Sequence, residues 1–150
     1  MESSCRREIV ELHRFFQDWF NGALPDSDDP GVARLTAALA EGFQLISPQG
    51  ELHDRAAVIE QVRRAHGRWR ASGAAGAAGT TEKAEKATIR IENARVRHLA
   101  GDLALVTYEE WQQVDGASRG RLSSAWFRRN ESAPAGVEWL HLHEVWLPQR

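Results

Sequence analysis

The chain lacks several features that would narrow its function at once: its 150 residues include one cysteine, one tyrosine and no long hydrophobic run. Cys5 has no second cysteine with which to form an internal disulfide, and we assign it no role. No apolar stretch approaches the ~20 residues that a membrane-spanning helix needs, and the first residues lack the apolar core of a signal peptide. We therefore expect a cytoplasmic protein that has no membrane partner.

An excess of one charge is also lacking. Nineteen Lys and Arg residues against twenty-one Asp and Glu residues leave a net charge of −2, so no overall field draws the chain to nucleic acid. The sequence contains no Gly-rich phosphate loop, no Ser-His-Asp signature and no nucleotide fingerprint. We expect no nucleic-acid partner and no cofactor.

Apolar residues are plentiful enough for one core. Hydrophobic side chains make up 42% of the chain, which predicts a single domain over residues 1–150. In the first half their spacing predicts three helices: from Glu8 to Asn21-Gly22, from Asp29-Pro30 to Gly42, and from Asp54 onward. A hairpin over residues 43–53 precedes the third helix. The Ala- and Gly-rich segment at about 71–86 is predicted to be a flexible loop.

The second half of the chain has the period-two pattern of strands. Four strands are predicted, at residues 88–99, 103–114, 121–129 and 137–147, and short turns join them. Short connections indicate an antiparallel meander. Helices first and strands afterwards, without βαβ alternation, predict an α+β domain whose helices cover one face of the sheet.

The last predicted strand has apolar and aromatic residues on both faces. Strict alternation places Trp139, His141, His143, Val145 and Leu147 on one face and Leu140, Leu142, Glu144 and Trp146 on the other. Neither face suits plain solvent, so we expect both sides of this strand to be covered.

Three strings resemble the nuclear transport factor 2-like superfamily, and within it the SnoaL-like (polyketide cyclase-like) group. They are EGFQLISPQGELHDRAAVIEQV (residues 41–62), RLSSAWFRR and WLHLHEVW. The resemblance implies a cone-shaped α+β domain of the cystatin-like type, with three N-terminal helices packed on a strongly bent, mainly antiparallel sheet. It also implies a pocket at the open end and a homodimer through the outer face. The superfamily includes isomerases, dehydratases, hydrolases and cyclases as well as non-enzymes, so the fold does not settle the function.

Similarity to a kinase association domain of this superfamily implies which side chains face the pocket, because SSAWFRR matches the strand whose pocket residue has the Ser124 position. The inward set is then Thr107, Glu109, Trp111, Leu122, Ser124, Trp126, Arg128, Leu140, Leu142, Glu144 and Trp146. From it we predict that Thr107, Trp111, Ser124, Trp126, Arg128 and Trp146 bind a small molecule.

Two carboxyl groups in an aromatic pocket can form an acid/base pair, because burial raises carboxyl pKa values and proximity separates them. We predict Glu109 and Glu144 as this catalytic pair. One of Glu109 and Glu110 faces inward in any strand, so the alternative is an inward glutamate with a structural role. Two functions therefore stay open: a cofactor-independent isomerase, cyclase, dehydratase or hydrolase acting on a hydrophobic ligand, and a ligand-binding or homodimerisation module without chemistry.

Histidines offer further candidates. His66 in the third helix is predicted to reach the pocket, and His13 in the first is a weaker alternative. His141 and His143 have the spacing of a zinc pair, but only distant residues such as His53 or His98 could supply a third ligand, so we expect no metal site. We expect them instead at a homodimer interface on the outer face, which comprises Tyr108, Ala125, Phe127, Trp139, His141 and His143.

Overall fold

Three helices lie against the inner face of a six-stranded sheet in the computed structural model, which describes residues 1–70 and 87–149. The predicted loop at about 71–86 lies outside the described residues. The helices are α1 (Glu2–Phe20), α2 (Ala33–Ala38, after an irregular turn at Asp28–Val32) and α3 (Arg55–Arg64). The strands are β1 (Leu39–Ile46), β2 (Leu52–Asp54), β3 (Thr88–Ala100), β4 (Leu103–Val114), β5 (Ala117–Arg129) and β6 (Val137–Trp146).

The strand order is β2-β1-β6-β5-β4-β3. Strands β3 to β6 form the predicted antiparallel meander, and β1 and β2 form the predicted hairpin. The hairpin joins the same sheet because β1 pairs with β6 in parallel. The predicted α+β cone is thus confirmed, with one parallel pairing that the sequence did not indicate.

Local signals explain the helix boundaries. Asp54 caps α3, since its carboxylate Oδ1 accepts a hydrogen bond from the backbone N–H of Ala57 at 2.8 Å. Helix α2 ends at Ala38 rather than at the predicted Gly42, because Leu39 already has extended backbone angles and begins β1. None of the helices in the described part of the chain is long and apolar enough to cross a membrane.

The core lies between α1 and the inner face of β4, β5 and β6. Ile9 and Trp19 of α1 are fully buried, as are Tyr108 of β4 and Phe127 of β5, and Trp139 of β6 is 1% exposed. Aromatic contacts connect them across the sheet: the rings of Phe127 and Trp139 lie 4.5 Å apart.

The side chains of β4 and β5 that were predicted to face inward face outward, because the predicted alternation is shifted by one residue. Their buried inner face carries Ala104, Val106, Tyr108, Glu110, Ser123, Ala125 and Phe127. The residues predicted to face inward therefore lie on the outer face: Thr107, Glu109, Trp111, Leu122, Ser124, Trp126 and Arg128. Side chains alternate along a strand, so a shift of one position exchanges the two faces completely. Tyr108, Ala125 and Phe127, predicted for a dimer interface, are instead core residues.

A β-bulge in β6 changes which residues of this strand face inward. Phe127 of β5 pairs with Trp139 while the next residue back, Trp126, pairs with His141, so Leu140 is an extra residue in β6. Trp139 consequently faces the core, which corrects its predicted place on the outer face. Beyond the bulge the prediction is confirmed: Leu142, Glu144 and Trp146 face inward, and His141, His143 and Val145 face outward.

Candidate functional site

A cavity of about 350 Å³ lies between the helices and the inner face of the sheet. Most of its wall is apolar or aromatic. Side chains of α1, α2, β1, α3 and β6 supply it; they include Leu12, Phe16, Phe20, Leu35, Leu39, Phe43, Leu45, Val58, Val62, Trp139, Leu142 and Trp146. Ser47, Gln49, His53 and Gln61 also line it, near the β1–β2 turn and α3. One end is charged, where His13, Glu110, Arg121 and Glu144 lie together.

Strand register assembles the charged end. Glu110 of β4 lies directly opposite Arg121 of β5, and Glu144 of β6 lies opposite Ser123, two residues along the same face of β5. Arg121 therefore reaches both carboxylates: its Nη2 is 2.5 Å from Glu110 Oε2 and its Nη1 is 3.4 Å from Glu144 Oε1. Burial of a guanidinium normally lowers its pKa, but Glu110 and Glu144 outweigh that effect and raise the pKa of Arg121.

Glu110 is held in its ionised form by close partners. Beside the bond from Arg121, its carboxylate accepts hydrogen bonds from His13 Nε2 at 2.9 Å and from Gln112 Nε2 at 2.5 Å. Burial alone would raise the pKa of Glu110, but Arg121 and then His13 hold it well below the ordinary value of 4.5. Glu110 is therefore a fixed anion.

His13 has no ring nitrogen left for a ligand. Its Nδ1 lies 2.7 Å from the carbonyl oxygen of Ile9, and its Nε2 faces Glu110. A carbonyl and a carboxylate only accept hydrogen bonds, so both contacts are made when both nitrogens carry a proton. The ring is then a buried cation that supports Glu110.

Glu144 has far fewer contacts. Its side chain is 6% exposed, and within residues 1–70 and 87–149 its one hydrogen bond is the 3.4 Å contact from Arg121. Burial raises the pKa of Glu144; Arg121 opposes this effect, while Glu110 adds to it. The environments of the two carboxyl groups thus shift their pKa values in opposite directions, downward for Glu110 and upward for Glu144.

Cation–aromatic contacts flank the charged end. The Arg119 guanidinium lies 3.4 Å from the centre of the Trp146 ring, and that of Arg68 lies 4.1 Å from the centre of the Phe20 ring. Arg68 lines the cavity, and burial followed by repulsion from Arg121 lowers its pKa.

The structure separates the predicted site residues into two groups. Glu144 and Trp146 line the cavity together. The other predicted strand residues lie on the outer face, where they contact one another or neighbouring strands: Asn93 donates a hydrogen bond to Glu109, Arg97 to Thr107 and Arg128 to Glu138. Ser124, Trp111 and Trp126 share that face.

His66, which was predicted to reach the pocket, packs between two structural partners instead. Its Nε2 contacts the carbonyl oxygen of Leu24 at 2.7 Å, and its ring lies 4.6 Å from that of Trp19. It is not among the residues that line the cavity in the described part of the chain.

Three site residues were not predicted, namely Glu110, Gln112 and Arg121, and His13 was predicted only as a weaker alternative to His66. Glu110 was half identified, because one member of the Glu109-Glu110 pair had to face inward. Arg121 then follows from β4, since it is the residue paired with Glu110. His13 lies four residues after Ile9 and three before Phe16, a spacing that places it on the buried side of α1.

The other candidates for chemistry are metal-ligating side chains and the cysteine. Among residues 1–70 and 87–149, no group of three or more His, Cys, Asp or Glu side chains is placed to hold a metal ion. His141 and His143 lie on the outer face, where burial and then His143 lower the pKa of His141. Cys5 is fully buried, and burial raises the pKa of its thiol to about 11, which makes it a poor nucleophile.

Comparison with known proteins places this geometry in a family. Residues 5–148 match the family described as sucrose-6-phosphate phosphohydrolase C-terminal. An NTF-2-like protein of unknown function, PA1314 of Pseudomonas aeruginosa, is 26% identical, with a TM-score of 0.76 over 97% of this chain and 99% of that one. The resemblance to the nuclear transport factor 2-like superfamily is thereby confirmed. No curated protein sequence matches the chain.

More distant structures share the fold alone. The CaMKII hub of S. rosetta is 15% identical, with a TM-score of 0.64 over 97% of this chain and 95% of that one. A hexachlorocyclohexane dehydrochlorinase, LinA type 2, is 7% identical, with a TM-score of 0.55 over 97% of this chain and 87% of that one.

Proposed function

The chain belongs to the family described as sucrose-6-phosphate phosphohydrolase C-terminal, and we propose that it binds a small, largely apolar molecule in the cavity and that Glu144 transfers a proton to or from the polar group of that molecule. The sequence also predicts an acid/base role for Glu144, but with a different second carboxylate. Glu110 replaces Glu109 as the second carboxylate of the site, because Glu109 lies on the outer face.

The proposal rests on the difference between Glu110 and Glu144 in their hydrogen bonds and pKa values. Glu110 is bound by three donors and its pKa is lowered, whereas Glu144 has one long contact and its pKa is raised. A buried carboxyl group whose pKa is raised exchanges its proton at a higher pH than an ordinary carboxyl group, which suits it to general acid or base catalysis. Glu144 is the group of this kind that borders the cavity.

The shape and lining of the cavity support the class of ligand. A volume of about 350 Å³ lies within the range of small-molecule sites. Phe16, Trp139 and Trp146 supply aromatic surface, so the body of the ligand would be flat and apolar. Its oxygen-containing group would then lie at the charged end, between Glu144 and Arg121.

Arg121 and His13 would act as positioning residues. Arg121 joins the two carboxylates, and His13 holds Glu110 from the opposite side. With His13 and Arg121 as cations and Glu110 as an anion, ionised Glu144 completes a balanced set of four charges. Taking up a proton at Glu144 leaves this set of four groups with one positive charge in excess, in addition to that of Arg68, which lines the same cavity. This positive charge would stabilise an enolate or alkoxide.

Reactions that need only proton transfer fit this site. They are isomerisation, elimination and addition of water, none of which requires a cofactor held by the protein. The name of one similar structure, a dehydrochlorinase, describes an elimination on this fold. Such a reaction begins when a base removes a proton, which is the role proposed for Glu144.

Thermal stabilisation by candidate ligands tests the binding part. The panel would contain flat ketones, epoxides and lactones and, because of the family name, sucrose and sucrose 6-phosphate. A ligand at a hundred times its Kd stabilises a protein by about 2.7 kcal/mol, an easily measured shift. We expect the apolar compounds to raise the unfolding midpoint and the sugars to leave it unchanged; the reverse result would contradict the proposed ligand class.

Turnover of the stabilising compound tests the chemical part. Glu144→Gln should lower kcat by about 100-fold or more, because the amide cannot exchange the proton, while ligand affinity changes little. Glu109→Gln is the matched control: it is the same substitution on the outer face, and it should leave kcat unchanged. Full activity of Glu144→Gln would refute catalysis by this residue, and binding without turnover in the native protein would select the non-catalytic alternative.

A second role, self-association, is favoured by the outer face. Leu122, Trp126 and Val145 are 40%, 37% and 46% exposed there, and Leu122 pairs with Val145 while Trp126 pairs with His141. Together with His143 they form the outer patch, a surface without permanently charged side chains, which suits an equally apolar second copy. Several similar structures are described as kinase hub or association domains.

Sedimentation equilibrium tests the homodimer. We expect a dimer for the native protein and a monomer for Leu122→Glu, because a buried unpaired charge is costly. Leu99→Glu is the control, since Leu99 is 56% exposed and lies on β3, outside the outer patch. A native monomer at micromolar concentration, or equal effects of the two variants, would rule out this interface.

A further inference from the structure

A pair of polar side chains lines the cavity on the side of β2 and α3. His53 of β2 and Gln61 of α3 both border the cavity, and Gln61 Nε2 lies 3.2 Å from His53 Nδ1. An amide nitrogen only donates hydrogen bonds, so Nδ1 accepts this bond and the ring carries its proton on Nε2. The contact with Gln61 therefore fixes the tautomer of His53.

Each member of this pair has a second polar atom that can bind a ligand. Within residues 1–70 and 87–149, neither His53 Nε2 nor Gln61 Oε1 makes a hydrogen bond. Glu51 Oε2 lies 3.5 Å from Nε2, but the Glu51 side chain is 69% exposed, and an ion pair with so exposed a group is weak. The pair thus offers one donor, Nε2–H, and one acceptor, Oε1, side by side.

The strand register gives the separation between this pair and the charged end of the cavity. His53 lies opposite Leu45 of β1, which in turn lies opposite Leu142 of β6. Glu144 follows Leu142 by two residues, and all four side chains line the cavity. Two strand spacings of about 4.8 Å and two residues of about 3.3 Å put the backbones of His53 and Glu144 about 12 Å apart. A molecule of two fused rings with an oxygen atom at each end can contact both side chains.

We propose that His53 and Gln61 form a second binding subsite, which holds a hydroxyl group at the end of the ligand remote from Glu144. His53 Nε2–H donates to the hydroxyl oxygen, and the hydroxyl donates to Gln61 Oε1. A hydroxyl group makes both bonds, whereas a carbonyl or ether oxygen only accepts. The inference rests on the proposed function and narrows its ligand class to a flat apolar molecule with oxygen atoms at both ends.

Two matched probes test the subsite: 2-tetralone, a flat ketone, and 6-hydroxy-2-tetralone, which carries a hydroxyl group at the opposite end. Calorimetric titration of the full chain should give a Kd about 3- to 10-fold lower for the hydroxylated ketone, because it gains hydrogen bonds to the pair. Equal Kd values, or weaker binding of the hydroxylated ketone, would overturn the subsite and leave the proposed function intact. Failure of both ketones to bind would refute the proposed ligand class and the subsite together.

Variants of the pair provide the second test. His53→Phe removes the donor and Gln61→Leu removes the acceptor at little change in size, so each should remove most of the preference for the hydroxylated ketone and leave the Kd of 2-tetralone nearly unchanged. Gln44→Leu is the matched control, because Gln44 lies on the outer face of β1, opposite His141. Glu144→Gln should keep the preference, since it changes the other end of the cavity. A preference that persists in both His53→Phe and Gln61→Leu would overturn the subsite.

Discussion

Two buried carboxylate clusters in the described part of the chain differ in how many hydrogen bonds their carboxylates accept. In the first, Glu8 is fully buried and accepts hydrogen bonds from both terminal nitrogens of Arg34, at 3.2 and 2.8 Å, and from the Trp139 indole at 3.0 Å. In the second, Glu110 is equally well bonded, but Glu144 beside it has a single 3.4 Å contact from Arg121.

This difference is the one expected between a buried carboxylate that stabilises the fold and one that takes part in the proposed proton transfer. The bidentate pair of Glu8 and Arg34 ties α1 to α2, and it does not border the cavity. The cluster of Glu144 opens on the cavity and keeps one carboxyl group with a raised pKa. Perturbed, incompletely bonded groups in a cavity are typical of functional sites.

Breaking the first cluster should have the largest effect on stability. Glu8→Gln removes the anion but leaves the Arg34 guanidinium partly buried, so we expect a loss of about 3–5 kcal/mol in the free energy of unfolding. Urea denaturation measures it. Glu2→Gln, in the first turn of the same helix and exposed, is the control. Ligand affinity of the folded variant should match the native value; loss of affinity without loss of stability would reverse the roles of the two clusters.

Glu110→Gln should destabilise the protein less, by about 2–3 kcal/mol, because Glu144 remains as a partner for Arg121. It should also lower the pKa of Glu144, since Glu110 is one of the causes that raise it. The pH profile of activity would shift to lower pH. Glu109→Gln should show neither effect, and an unshifted profile for Glu110→Gln would show that the carboxyl groups do not interact.

Much of the fold follows from the sequence because its signals are local. The Asp54 cap, the meander and the β1–β2 hairpin each depend on a few neighbouring residues, and all are confirmed. The parallel pairing of β1 with β6 joins segments about a hundred residues apart, and no local pattern indicates it.

The facing of the strands could not be predicted because both faces carry apolar residues. Trp111 is 4% exposed although it lies on the outer face, since it packs over Gly120, where a side chain would clash with its ring. This buried outer tryptophan gives β4 the appearance of facing the other way. The bulge at Leu140 then breaks the alternation within β6 itself. The register implied by the association domain is one residue out of phase with the structure, and Glu110 rather than Glu109 therefore faces inward.

Trp139 lies between the two carboxylate clusters, so substituting this one residue tests both of them. Its indole N–H is bonded to Glu8, while its ring lines the cavity and lies 6.3 Å from that of His13. Trp139→Phe keeps an aromatic ring but removes the hydrogen bond, so we expect a loss of about 1.5–2 kcal/mol in stability. Combined with Glu8→Gln it should add less than its single effect, because both remove the same bond. Full additivity would show that the two groups act independently.

Glu144→Gln should change stability least, within about 1 kcal/mol of the native protein at neutral pH, but with a distinctive pH dependence. The folded-state pKa of Glu144 is raised above 4.5, so its contribution is fully present below about pH 4.5 and is lost as pH rises through the raised pKa. The amide has no such loss, and the variant should therefore gain stability relative to the native protein between pH 4.5 and neutrality.

The pH dependence expected for Glu110 has the opposite sign: its lowered pKa contributes stability above about pH 4.5 that disappears on acidification. Denaturation midpoints of the native protein, Glu144→Gln and Glu110→Gln from pH 4 to pH 7.5 measure both slopes. Parallel curves for the native protein and Glu144→Gln would show that the cavity does not perturb this carboxyl group, and the two clusters would then differ only in their bonds.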